Sequence, residues 1–327
     1  MSAKHFSELD QQVIKPDLCR HCGACALICP VDVIGMKENG ACLLGECVSC
    51  GLCLQVCPVL NQHRELPVSE AFLMRPISEV PGSKTCGVVS TIASCLLKEG
   101  RVDAVLVSKM DVDMQEKSYL ARSQSQVYEA AGANYFSKGH LTALREAVKK
   151  GERVAVIGTG CCIEGARLIG KISPKYASSM PYLLGLFCTS QLEQNTVRGI
   201  LEKNAIDPST VESINIRGGI VAVRDLHGRS NRLELSEMSL ARRASCSYCF
   251  DLDNSTADLS FGEMGAPTGY VITLVRTGAG REAVELSRER LQHVVMPSST
   301  LDELQRVRLK KYMRFVRNLG RTSHTSE

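Results

Sequence analysis

The chain has 327 residues, of which 44% are hydrophobic, and a formal net charge of +4. This length and apolar content predict a globular protein of two domains plus a small module. The first residues lack the apolar core of a secretory signal, and no stretch approaches the roughly 18 apolar residues of a membrane span. We therefore expect a cytoplasmic protein without a transmembrane segment. With no Trp, seven Phe and eight Tyr, little aromatic surface is available to stack on bases, which argues against nucleic-acid binding.

Cysteines dominate the start of the chain. Eight of the 16 cysteines form two copies of C-x2-C-x2-C-x3-C-P, the run that binds two [4Fe-4S] clusters in bacterial ferredoxins, with the fourth cysteine of each run ligating the other cluster. Disulfides are uncommon in chains without a secretory signal, and zinc sites use paired C-x2-C units instead. The predicted ligand sets are Cys19, Cys22, Cys25 and Cys57 for one cluster, and Cys47, Cys50, Cys53 and Cys29 for the other.

The remaining pattern divides the chain into segments. Residues 1–62 form the predicted ferredoxin module, and residues 63–83, with three prolines, are typical of a linker. Residues 84–295 are then expected to form a cofactor-binding α/β domain, because apolar strands alternate with helices and imply a sheet that is at least partly parallel. Its later part has shorter strands, so the overall fold class is α+β/α/β with a mixed sheet. The predicted strands are 102–108, 153–158, 182–188, 213–217, 220–224 and 269–276, and the helices are 87–100, 141–150, 280–291 and 300–319.

The predicted C-terminal helix, within a basic segment 296–327, is amphipathic. Its apolar residues share one face and its cations occupy the rest. We interpret the basic face as solvated in preference to a docking surface. Its apolar residues are Leu309, Tyr312, Met313, Val316 and Leu319.

A second group of cysteines lies far from the first. Cys161 and Cys188 follow predicted strands, where ligands gather in open α/β sheets, and Cys246 and Cys249 form a separate C-x2-C pair. These four thiols are candidate ligands for a third [4Fe-4S] cluster, although isolated buried thiols and half of a zinc site are alternatives. Cys162 is an alternative ligand to Cys161. We interpret three other cysteines, Cys42, Cys86 and Cys95, as packing residues.

Several glycine turns precede predicted helices or close predicted strands, so their backbone N–H groups could hold phosphates. They contain Gly87, Gly132, Gly158 with Gly160, and Gly262 with Gly265. None matches the G-x-G-x-x-G fingerprint of a standard dinucleotide site.

Together these motifs resemble the beta-subunit family of coenzyme F420-reducing hydrogenases and dehydrogenases, with an added two-cluster module. The most specific match runs from Cys246 to Gly262 and continues to Gly269 and to Val275 through Thr277, with support from Val154 to Cys161. The family usually has Pro where this chain has Gly160, which leaves the choice between Cys161 and Cys162 open.

The resemblance implies FAD, a [4Fe-4S] cluster beside it, and hydride exchange with coenzyme F420, with the flavin dividing electron pairs into single electrons for the clusters. It implies partner redox subunits, and association with a membrane complex stays open. Alternatives are a ferredoxin-dependent reductase of an organic substrate and a subunit that only transfers electrons. Lys84, Lys138 and Arg276 are candidates for phosphate or carboxylate recognition. The candidate cofactor-binding residues are Gly87, Ser90, Thr91, Gly132, Asn134, Tyr135, Gly158, Thr159, Gly262, Gly265 and Arg276.

Overall fold

The computed structural model describes residues 4–61, 64–80, 87–111 and 114–322. The N-terminal module is small and is organised around its cysteines. Its first helix continues into a π-helical turn at Asp10–Ile14, and a two-stranded antiparallel hairpin joins its two halves. Its elements are α1 (Lys4–Leu9), α2 (Ala24–Ile28), β1 (Ile34–Lys37), β2 (Gly40–Leu43) and α3 (Leu52–Gln55).

A mixed eight-stranded sheet forms the centre of the second domain. Its strands are β3 (Glu70–Pro76), β4 (Ala104–Met110), β5 (Glu116–Ala121), β6 (Val154–Thr159), β7 (Tyr182–Leu186), β11 (Leu259–Gly262), β12 (Val271–Val275) and β13 (Leu291–Val295). The strand order is β13-β3-β12-β11-β7-β6-β4-β5, in which β11, β7, β6 and β4 are parallel neighbours. This arrangement confirms the predicted mixed sheet.

Helices cover both faces of this sheet, as the buried runs in its parallel strands require. They are α4 (Val88–Lys98), α5 (Gln124–Glu129), α6 (Arg145–Lys150), α7 (Gly160–Ile172), α8 (Pro174–Ser179) and α11 (Gly278–Ser287). The N-terminal module packs on the same side as α6, α7 and α8, whereas α4, α5 and α11 cover the opposite side.

A smaller antiparallel sheet has its own core with two helices. Its elements are β8 (Val211–Arg217), β9 (Ile220–Asp225), β10 (Ser230–Glu234), α9 (Gln194–Lys203) and α10 (Leu235–Met238). The strand order is β10-β9-β8. This sheet matches the shorter strands predicted after residue 213.

Two strands of the large sheet differ from the sequence prediction. The segment predicted as a linker contains β3, which lies between β12 and β13 and is therefore an internal strand. The helix predicted over 280–291 ends at Ser287, and the chain then continues through a 3₁₀ turn into β13. Both strands are antiparallel additions at one edge, which helix-strand alternation does not reveal.

The C-terminal helix, α12 (Ser298–Thr322), inverts the predicted orientation. Lys311 is buried, and Arg308 and Arg314 hydrogen-bond to the protein through their guanidinium groups, so a fully solvated basic face is wrong. The apolar residues of the other face are exposed instead. The sequence pattern identified the two faces correctly but could not show which one contacts the domain, because Lys and Arg also bury their long apolar stems.

Candidate iron–sulfur centres and cofactor pocket

The four cysteines predicted to bind the first cluster surround one small cavity in the N-terminal module. Cys19 and Cys22 come from the loop that leads into α2, Cys25 lies in the first turn of α2, and Cys57 comes from the second motif, as the crossing arrangement requires. All four side chains are free thiols and buried. Burial raises the pKa of the Cys25 thiol, and the neighbouring Cys19, Cys57 and Cys53 raise it further. Four buried thiolates would repel one another unless cationic iron lay between them, so this donor set fits a cluster.

The second set lies nearer the surface. Cys50 is exposed, whereas Cys53 is buried, and Cys47 is intermediate between them. Burial raises the pKa of Cys53 to about 11, with smaller contributions from Cys47 and Cys50, so these three thiols are close together. Cys29, the predicted fourth ligand, packs against the apolar cluster that contains Cys53 and that Cys47 also contacts. This set is the outer centre of the module, and the first set is the inner one.

The third set converges at the carboxyl ends of the central parallel strands. Cys161 is the second residue of α7, and Cys188 lies two residues after β7. Cys246 lies in the 3₁₀ turn Ala244–Tyr248, and Cys249 follows that turn directly, before the loop into β11. Burial raises the pKa of Cys188 to about 12, and the thiols of Cys246, Cys161 and Cys249 add to this shift. The four predicted ligands are therefore brought together from three separate parts of the chain.

The structure distinguishes the two adjacent thiols of α7. Cys161 adds to the pKa shifts of Cys188 and Cys246, whereas Cys162 lines the cavity on the other side. A hydrogen bond from Cys162 lowers the pKa of Cys161 and favours its thiolate. These positions make Cys161 the better candidate of the two for a cluster ligand.

Cationic groups surround the third set. Arg20, which follows Cys19, is nearly buried and pairs with Glu164 of α7. Lys311 of α12 donates to the backbone carbonyl of Cys188 at 2.6 Å and to that of Asp251 at 2.5 Å. These positive charges offset part of the negative charge of four thiolates. Among the residues that the structure describes, no three His, Cys, Asp or Glu side chains are arranged to hold a single metal ion, whereas the ligands of a cubane each bind a separate iron.

A cavity of about 160 Å³ opens beside the third set, at the ends of β4, β6 and β7. The amino end of α4 points into it, and the residue that caps this end is Gly87, whose φ of +77° favours glycine. The first N–H groups of a helix have no intrahelical partner and can hold a phosphate. The predicted cofactor-binding residues that line this cavity are Gly87, Ser90, Gly132, Asn134, Gly158 and Thr159.

The other predicted cofactor-binding residues lie elsewhere. The Thr91 hydroxyl donates to the Gly87 carbonyl inside α4, and the Tyr135 hydroxyl accepts from the backbone of Ile216 in the smaller sheet. Gly262 packs against the ring of Phe187, and Gly265 lies beside α12. Lys84 and Cys86 lie outside the described residues, and Lys138 pairs with Glu38 at 3.6 Å.

Arg276 forms a buried ion pair. Its guanidinium donates to the Asp253 carboxylate at 2.6 Å, and the side chains are 1% and 7% exposed. Arg308 of α12 contacts the same carboxylate. The cluster lines a second, more open cavity of about 660 Å³ between α12 and the loop after Cys249.

A buried polar chain on the cavity wall was missed by the sequence analysis. His140 lines the cavity, and its Nε2 donates to the carbonyl of Ile157 at 2.7 Å, since that oxygen can only accept. Its Nδ1 lies 2.7 Å from the Ser118 hydroxyl, which contacts Glu116 at 2.5 Å. Burial lowers the pKa of His140 to about 4 and raises that of Glu116. A single histidine outside any motif gives no sequence signal that its side chain lines a cavity.

The cavity and the three cysteine sets are arranged in a row. Gly158 and Thr159 line the cavity, and the Thr159 hydroxyl lies 3.4 Å from the sulfur of Cys161 in the third set. The Cys161 thiol lies 3.8 Å from the Arg20 carbonyl, and it adds to the pKa shift that burial causes in Cys22 of the inner set. Cys25 of the inner set is in turn close to Cys53 of the outer set. The row ends at the exposed Cys50.

Family models match most of the chain. Residues 18–61 match a 4Fe-4S dicluster domain. Residues 77–145 and 151–298 match the N-terminal and C-terminal parts of the coenzyme F420 hydrogenase/dehydrogenase beta subunit. No described helix is both long and apolar enough to cross a membrane.

Individual relatives agree with these models. The chain is 28% identical over 342 aligned positions to the coenzyme F420-dependent sulfite reductase of Methanocaldococcus jannaschii, covering 97% of this chain but only 52% of that protein. It is 26% identical to a subunit of the F(420)H(2) dehydrogenase of Methanosarcina mazei, covering 89% of this chain and 88% of that one. A chain of the F420-reducing [NiFe] hydrogenase complex from Methanosarcina barkeri has a similar fold, with a TM-score of 0.71, 21% identity, and coverage of 79% of this chain and 95% of that chain.

Proposed function

Since the chain belongs to the coenzyme F420 hydrogenase/dehydrogenase beta-subunit family, we propose that it is an iron–sulfur flavoprotein that exchanges hydride with coenzyme F420. Single electrons then pass between FAD and a partner redox complex through three [4Fe-4S] clusters. The observation that carries this proposal is the row formed by the cavity and the third, inner and outer cysteine sets. A two-electron donor and one-electron clusters need such an order, because the site of conversion must adjoin the first cluster.

In this proposal, different cavity residues contact different parts of the cofactor. The backbone N–H groups at the start of α4 and the Ser90 side chain hold a phosphate. Asn134 is already fixed by its 3.1 Å hydrogen bond to the Ser108 hydroxyl, so it can orient a polar group of the ligand. Val107 and Leu186 supply apolar wall and exclude water. Bound FAD would take up two electrons as hydride and release them singly, which is the chemistry that the clusters lack.

The cysteine sets supply the exit or entry route. Cys161, Cys188, Cys246 and Cys249 bind the cluster next to the cavity, and the inner set continues the route through the ferredoxin module. The exposed Cys50 marks the end at which a partner subunit docks. The same route can run in either direction, because direction depends on the potentials of the donor and acceptor.

The test begins with anaerobic purification and measurement of iron, sulfide and flavin. Mixing the purified protein with reduced coenzyme F420 should bleach the absorbance of the flavin and of the clusters. The variant Cys50→Ser should keep the flavin reaction but lose transfer to an external one-electron acceptor, while Cys42→Ser, in the same module but outside the proposed ligand sets, should behave as wild type. Clusters without flavin would indicate a subunit that only transfers electrons. Bleaching by reduced ferredoxin but not by reduced coenzyme F420 would reject the substrate.

A further inference from the structure

The outward side of α12 carries an apolar stripe. Leu309, Tyr312, Met313 and Val316 are 59%, 50%, 43% and 42% exposed. Their spacing of i, i+3, i+4 and i+7 places them on one side of the helix. Isolated exposed apolar residues are ordinary, but a continuous stripe of this kind marks an interaction surface.

Cations border this stripe, and the acidic residues Asp302 and Glu303 of α12 precede it. Residues 304–319 contain six Lys or Arg and no Asp or Glu. Arg306, Lys310 and Arg317 are exposed beside the stripe, and Arg306 reaches back to Glu303 at 3.4 Å. The outward side of α12 is therefore both apolar and positively charged.

The inward contacts of α12 hold the stripe outward. Lys311 binds the carbonyls of Cys188 and Asp251, Arg314 donates to the Thr189 carbonyl at 2.6 Å, and Asn318 donates to the Ser247 carbonyl at 3.4 Å. Rotating the helix to bury its apolar residues would break all of these bonds. The domain thus packs against the side of α12 that carries Lys311 together with the buried Leu304 and with Phe315, which contacts Phe250. The stripe lies on the other side, with Tyr312 at its edge near the same Phe250 ring.

We propose that the outward side of α12 binds an anionic lipid surface, with the helix lying in the plane of the headgroups. Leu309 and Tyr312 border the cavity of about 660 Å³, and the stripe continues beyond it to Met313 and Val316. The boundary between headgroups and acyl chains accepts apolar side chains along the length of such a helix. The bordering cations match the negative charge of the headgroups and their long stems reach outward. This inference stands independently of flavin binding and of the substrate.

Vesicle flotation tests the proposal with the full chain in its cofactor-loaded form. The protein should float with vesicles of equimolar phosphatidylcholine and phosphatidylglycerol. Binding to vesicles of phosphatidylcholine alone should be weaker by about tenfold or more, and high salt should weaken binding to the anionic vesicles. The double variant Leu309→Ser/Val316→Ser should lose about tenfold or more, and Lys310→Gln/Arg317→Gln should lose the preference for anionic vesicles. The control Leu240→Ser changes a leucine outside α12 that is 78% exposed and should bind as wild type.

Three results would overturn the proposal. The first is wild-type protein that does not float with anionic vesicles. The second is equal binding by wild type and Leu309→Ser/Val316→Ser at matched iron content and melting temperature. The third is an oligomer in size-exclusion chromatography that this double variant dissociates, because the stripe would then be an interface between proteins.

Discussion

The ion pair between Arg276 and Asp253 allows a direct test of whether this arginine is structural. Asp253→Asn removes the carboxylate that the guanidinium of Arg276 contacts at 2.6 Å, and the Arg276 side chain is 1% exposed. Breaking a buried pair in this way costs about 3–5 kcal/mol of the free energy of unfolding. Arg308→Gln removes the other contact of Asp253, but the Arg308 side chain is 41% exposed, so solvent screening limits its cost to about 1 kcal/mol or less.

The difference in burial between Arg276 and Arg308 predicts different shifts in melting temperature for the two variants. With an unfolding entropy of about 2.1 cal/mol/K per residue, 1 kcal/mol corresponds to about 1.5 °C for a chain of this length. Asp253→Asn should therefore lower the melting temperature by about 4–7 °C and Arg308→Gln by about 1 °C. Arg306→Gln, on the same helix with a 73% exposed side chain, should leave it unchanged. Anaerobic differential scanning fluorimetry at matched iron and flavin content measures all three.

Two outcomes would refute the reasoning. Equal shifts for Asp253→Asn and Arg308→Gln would show that burial does not decide the cost. An unchanged melting temperature with loss of flavin from Asp253→Asn would return Arg276 to the predicted role of cofactor binding.

Three further predictions concern the site and its surroundings. Burial lowers the pKa of His140 from 6.5 to about 4. As pH falls, the unfolded chain therefore gains this proton first, and the folded protein loses stability between about pH 6.5 and 4. His140→Gln should remove up to about 3 kcal/mol of that loss in denaturation measured at several pH values, and an unchanged pH profile would contradict this prediction. Gly165→Ala should destabilise by about 1–3 kcal/mol, because its Cβ would lie 2.9 Å from the Cβ of Ala24, whereas Gly199→Ala, with nothing within 4 Å, should not; equal melting temperatures would count against this packing. Cys161→Ser should remove about four irons per chain in iron analysis and Cys162→Ser none, and the reverse result would exchange their roles.

The sequence predicted the parts of the fold that have a local signal. The cysteine spacing identified the module, and the apolar runs identified β4, β6 and β7 with the cysteines at their ends, because a buried parallel strand carries a continuous apolar run. Strand β3 gave no such signal, since its segment contains prolines and polar residues and its place in the sheet depends on pairing with β12 and β13. Pairing between distant segments is set by tertiary contacts and not by local propensity.

The candidate site was partly predictable for the same reason. Glycines next to helix starts have a local meaning, so Gly87 and Gly158 were found, and both line the cavity. Arg276 was proposed as a ligand contact because its charge is visible in the sequence, but the partner that pairs with it, Asp253, is 23 residues away in the chain. Likewise, the contacts of His140 with Ser118 and Ile157 join separate strands, which no spacing rule reveals.

The contact between the module and the large domain depends on backbone that approaches closely. Gly139 donates to the His21 carbonyl at 2.7 Å and Leu141 to the Cys22 carbonyl at 3.1 Å. A Cβ at Gly23 would lie 2.9 Å from the backbone carbon of Gly139, so a larger residue at position 23 would push the inner cysteine set away from α7. Electron transfer weakens steeply with distance, so these glycines matter to the proposed route even though they bind no iron. The module is thus bonded into the domain through its own cysteine loop, and its position relative to the third set does not rely on the chain segment that connects them.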